Sequence, residues 1–197
     1  MSFATKTTEE FEQEGYKQEL PKKGSKKAII AGFFDKGEQE VTYEGKTSTK
    51  QQVEILFMLD AKKEKGEHFF VSKTYTPTLI KDPSTYKGNL PHFHLLINDA
   101  ELDLSRGGAG LLGQTLEISI GHKKSSKGTE YAFPSSYAPL EDLPIFDGKK
   151  VIAPYYKDKI EECEANAGEG FEPSTTWGLL PDVEIFVKKE AEDDLPY

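Results

Sequence analysis

The stretch GHKKSSKGTEY, residues 121–131, crowds Lys123, Lys124 and Lys127 into a short turn beside His122 and Tyr131. Lysines of this kind serve as point charges for phosphates, and a tyrosine offers a ring on which any nucleobase can stack. A second pair, Lys73 and Tyr75 in SKTYTPTL, shares one face of an extended segment, because strand side chains alternate with period two. That face also carries Phe69 and Val71, so the Lys73 ammonium must reach solvent or a partner. Tyr75 is either a shelf for a base or a core tyrosine with a bonded hydroxyl. Phe70 points to the opposite side and is the converse shelf; the alternation alone leaves open which side is core. Tyr43 and Lys50, in the long segment between the first two apolar runs, are further clamp candidates.

Other chemistry is poorly provided for. SRGGAGLLG lacks the Gly-Lys-Ser/Thr ending of a phosphate-binding loop. His92 and His94 in PHFH fall in a predicted helix with no Cys or Glu completing a ligand set, so no metal and no cofactor are expected. Cys163 sits among carboxylates that raise a thiol pKa, which argues against a catalytic thiolate. No Gly-x-Ser-x-Gly element and no nuclease-like carboxylate cluster is present, and the expectation is that the chain is not an enzyme. A lone cysteine also forms no internal disulfide, which fits a reducing compartment.

The 197 residues carry a net charge of −9, which at first argues against a nucleic-acid partner. The distribution reverses that. Residues 22–137 hold 17 basic against 14 acidic side chains, a net of +3, leaving −12 for the flanks. Arg106 is the only arginine, so base edges would go unread and contact would be to backbone. The N-terminus lacks a hydrophobic signal core, and no run approaches the roughly 20 apolar residues of a membrane span, so neither export nor a membrane is expected.

Five strands are predicted, over about 28–35, 51–60, 68–76, 115–122 and 129–137, with one helix near 90–103 between the third and fourth. The second is nearly continuous in apolar residues and therefore central. The connection 36–50 reads as a long loop. This order is that of a five-stranded OB-fold barrel, a mainly β fold. The domain plan is a polar extension (1–26), the barrel (27–139), an extension packed back on it (140–187) through Trp177, Leu179, Leu180 and Ile185, and an acidic tail (188–197).

SKTYTPTL (72–79), LLGQTLEISIGHKKSSKGTEYA (111–132) and WGLLPDVEIFV (177–187) resemble single-stranded DNA-binding proteins of tailed bacteriophages. The likeness runs over roughly 27–187, and the middle block is its most specific part. It implies a protein that coats single-stranded DNA during phage replication or recombination, in the cytoplasm of the infected bacterial host. It also implies that the tail, with Glu192, Asp193, Asp194, Leu195, Pro196 and Tyr197, competes with DNA for the basic groove and recruits replication or recombination proteins. Tails of the bacterial type end in Pro-Phe, whereas this chain ends in Pro196-Tyr197. A homo-oligomer is compatible with all of this. The alternative is a phage adaptor or inhibitor that engages a replication or recombination protein through the same fold.

Overall fold

The computed structural model describes residues 19–43, 45–167 and 176–186. β1 (Gly24–Tyr43), β2 (Lys46–Lys62) and β3 (His68–Tyr75) run antiparallel, followed by α1 (His92–Asp99), β4 (Thr115–Lys124) and β5 (Glu130–Ala138). The C-terminal part adds β6 (Val151–Ile152), α2 (Tyr155–Ala167), β7 (Trp177–Leu179) and β8 (Glu184–Ile185). The main sheet is ordered β3-β2-β1-β4-β5, with β7 also paired to β1, and β6 pairs with β8 in a small second sheet. Among the described residues no backbone ladder joins β3 to β5, so the sheet is unclosed.

β1 organises the molecule because it is long and irregular. Register shifts between Ile30 and Gly32 and between Asp35 and Gly37 bend it. Its free edge can therefore pair first with β4, over Gly24–Ile29, and then with β7, over Gly32–Phe34. Gly32 is needed at the switch. A Cβ there would lie 3.0 Å from Leu179 and 3.1 Å from both Leu56 and Phe34.

β2 is apolar on both faces because both are covered. Val53, Ile55, Phe57 and Leu59 join Phe33, Phe69, Val71 and Tyr75 beneath α1, β4 and β5. Leu56 on the other face joins Phe34, Ile152, Tyr156 and Cys163, with Phe70, Trp177, Leu179 and Ile185 packed around them. The neighbours Phe33 and Phe34 thus each belong to a core, on opposite sides of the sheet. Glu54 lies on the covered face too, and its burial is answered by Lys159 of α2 at 2.5 Å.

The expected loop at 36–50 is instead an extension of β1 and β2. Pairing continues from Gly37↔Gln52 to Tyr43↔Lys46 as a two-stranded ribbon. Its polar, β-branched content (Val41, Thr42, Thr47, Thr49) suits strands but lacks the apolar alternation that marks a buried one. The helix is also shorter than expected, eight residues against a predicted fourteen, because the chain leaves it at Ala100 and adopts φ 54° at Glu101.

Candidate nucleic-acid interface

The β4–β5 hairpin outruns the sheet. Its last contact with β1 is Gly24↔Ile120, and beyond that β4 and β5 pair only with each other. Lys123 faces Tyr131 and Gly121 faces Phe133 across the ladder, so all four share one side of the projection. Gly121 makes room for a ring, since a Cβ there would stand 2.8 Å from Phe133. The Lys123 ammonium sits 4.5 Å from the centroid of that ring, within cation–π range. Tyr131 is 41% exposed beside it. One face of the hairpin therefore presents a cation and two rings.

The opposite face is engaged differently. His122 bonds the Pro21 carbonyl through Nε2 at 2.8 Å and lies 3.3 Å from Glu130 through Nδ1. Lys124 pairs across from Glu130, so it parts company with Lys123. Lys127 stands exposed in the turn closed by the Gly128 N–H donating to Ser125 O.

Lys73 fills the seam between β3 and β5. Its ammonium donates to Pro134 O at 3.1 Å and to the Tyr137 hydroxyl at 3.3 Å, and lies 5.5 Å and 5.7 Å from the Tyr75 and Tyr137 ring centroids. Burial, with the Lys123 charge adding to it, lowers the Lys73 pKa to about 8. His92, at the start of α1, is lowered by burial and then by Lys73 and Lys123. The Lys123 charge thus reaches Lys73, and both lysine charges reach the His92 ring, where together with burial they favour the neutral imidazole.

Of the anticipated shelves, Tyr75 lies in the core and Phe70 is partly covered. Tyr75 is 2% exposed, with its hydroxyl 2.7 Å from that of Tyr137. Burial, followed by the Tyr137 neighbour, pushes its phenol well up, and burial raises Tyr137 to about 12. Phe70 is packed under the C-terminal part, because the apolar face it shares with Leu56 would otherwise be wet. Lys50 is exposed in the ribbon opposite Gln39, and Tyr43 ends the described part of β1. Both lie at the far end of β1 from the β4–β5 hairpin, so the chain does not bring the two sets together. Glu192–Tyr197 lie outside the described residues.

Phe133 and His92 belong to this surface and were not among the sequence candidates. Phe133 was legible, being two residues from Tyr131 and thus on its face, whereas His92 acquires its place only from the way α1 packs over β3 and β5. His94 is buried, its Nδ1 bonded to the Ile80 N–H and the Asn98 amide, each at 3.1 Å. Among the described residues no three metal-ligating side chains cluster, and no helix is long and apolar enough to cross a membrane. No protein-family model matches the chain, and neither does any curated protein.

Proposed function

We propose that this chain binds single-stranded nucleic acid without reading its sequence, and that it coats DNA intermediates of phage replication or recombination in the host cytoplasm. The observation that carries the reading is half-buried Lys73 close enough to Lys123 to feel its charge, with Phe133 and Tyr131 on the Lys123 face of the hairpin. A half-buried ammonium with a second lysine charge near it is favoured when an anion joins them, and a phosphodiester backbone supplies a row of anions. The adjacent rings supply stacking worth about 1–3 kcal/mol per base whatever the base.

The strand order β3-β2-β1-β4-β5 with α1 between β3 and β4 supports an OB-fold barrel. In that reading Lys73, Tyr75 and Tyr137 stand in for the missing β3–β5 ladder. The outer side of β2 and β3, where such barrels commonly take nucleic acid, is covered here by residues of β6, α2, β7 and β8. The strand therefore runs over the projecting face of the β4–β5 hairpin towards α1, whose positive N-terminal end adds to the attraction. Lys123, Lys127 and Lys73 contact phosphates, and Tyr131 and Phe133 stack. The acidic tail competes for the same lysines.

Titrating a fluorescent oligo-dT with the full chain tests this. Replacing Lys123 and Lys127 by Ala lowers the slope of log affinity against log salt by about 1.4, at roughly 0.7 per phosphate contact, whereas Lys124→Ala leaves it nearly unchanged. No binding at 50 mM salt, or an unchanged slope in the double variant, overturns the reading. A chain acting as an adaptor leaves the oligonucleotide unshifted altogether.

A further inference from the structure

We infer that residues 141–146 form a protein-docking hook whose partner offers an apolar slot rimmed by lysine or arginine. Leu143 and Ile145 are 82% and 78% exposed, while the next large apolar side chain among the described residues, Leu79, is 51% exposed. The feet of the hook are pinned. On one side Ala138 ends β5 in register with Glu117. On the other, the Phe146 ring stands edge-on to His68 at 5.4 Å, the Gly148 N–H donates to His68 Nε2 at 2.9 Å, and Asp147 pairs with Lys62 at 2.6 Å. Pro144 fixes its own φ and holds Leu143 in the extended region. Two apolar side chains are thus displayed on a short, stiffened strap, which reduces the ordering entropy that docking would otherwise cost.

The chemistry of the partner follows from what surrounds them. Glu141 and Asp142 precede the pair, Asp147 follows it, and 139–148 contains no lysine or arginine. Lys27 lies 3.7 Å from Asp142, which nevertheless remains 87% exposed. This charge repels a polyanion and fits a cationic rim. The same recognition element recurs in the sequence: Asp142-Leu143-Pro144 is repeated as Asp194-Leu195-Pro196. An acid precedes each copy (Glu141, Asp193) and a large apolar or aromatic residue follows it (Ile145, Tyr197). One kind of slot therefore takes either copy, and a partner presenting two such slots engages both copies of one chain at once.

The test uses two peptides as probes, APLEDLPIFD (138–147) and EAEDDLPY (190–197). Immobilised EAEDDLPY selects proteins from a bacterial extract, and the selected protein is purified and titrated with labelled APLEDLPIFD and with the full chain. The expected result is that EAEDDLPY displaces APLEDLPIFD. Leu143→Ala/Ile145→Ala and Leu195→Ala/Tyr197→Ala each weaken full-chain binding about tenfold, and the fourfold variant loses it. Selection of nothing, a selected protein indifferent to APLEDLPIFD, or unchanged binding of the Leu143→Ala/Ile145→Ala chain overturns the inference. Oligo-dT affinity of that variant, measured alongside, stays at the parent value. The hook thus stands or falls separately from the nucleic-acid reading.

Discussion

Raising the pH through 8 discharges Lys73 in the folded chain, and this one event moves stability and nucleic-acid binding in opposite directions. In the seam the amine titrates at about 8 instead of 10.5, with burial as the main cause and Lys123 as the second. The displacement corresponds to about 3 kcal/mol at roughly 1.4 kcal/mol per pH unit. Solvent reaches this half-buried group, which reduces the figure to about 1–2 kcal/mol. The folded state holds the proton less tightly than the unfolded state, so the cost is fully present below pH 8 and is relieved as pH climbs towards 10.5. Stability therefore rises over that window relative to a Lys73→Met chain, as read from urea midpoints. A phosphate beside Lys73 favours the charged amine, so binding recharges it. Uptake of about half a proton per site is expected at pH 8 and about nine-tenths at pH 9, superimposed on whatever other groups contribute. Calorimetric titration of oligo-dT in buffers of different ionisation heat measures it. Uptake that is absent, or that persists unchanged in Lys73→Met, refutes the placement of the backbone at the seam.

Three further outcomes follow from the packing. Gly121→Ala drives Phe133 off the strand, because the new Cβ meets the ring at 2.8 Å; oligo-dT binding weakens by about 1–3 kcal/mol for the lost shelf, measured by anisotropy. Tyr75→Phe leaves the Tyr137 hydroxyl without its 2.7 Å partner and costs about 1–3 kcal/mol, and the double change with Tyr137→Phe costs less than the two single changes added together, in chemical denaturation. Lys159→Met strands buried Glu54 and costs about 3–5 kcal/mol, whereas Lys159→Met with Glu54→Gln recovers most of it; Trp177, the single tryptophan, reports the melting of that interface by fluorescence.

How far the sequence could be read depended on where each signal resides. The alternation of Leu116, Ile118 and Ile120 gave β4 directly, since one face of that strand is buried. The continuous apolar run 55–59 marked β2 as covered on both sides, but not by what: the cover comes from α2 and from β6, β7 and β8, whose two or three residues each are too few to carry a period. That hidden cover is why the sequence could not say that Phe70 is partly buried. Tyr75 and Lys73 share a face, yet one is core and the other marks its rim. The difference is set by the distance to β5 across the seam, a tertiary fact that alternation does not encode. The hairpin candidates fared better because turn chemistry and cross-strand register are local: Lys123 and Tyr131 are partners, and only the parting of Lys124 required the pairing itself.

The central claim is that unpaired nucleotides lie on the Lys123–Tyr131–Phe133 face of the hairpin and not on the covered side of β2 and β3. Photocrosslinking the full chain to an oligonucleotide of 4-thiothymidine, with peptide mapping of the adducts, tests it most directly. Adducts are expected on Tyr131 and Phe133 and are lost when Lys123 and Lys73 are replaced by Ala. Adducts on Phe70 or on α2, or no adduct at all, would contradict it.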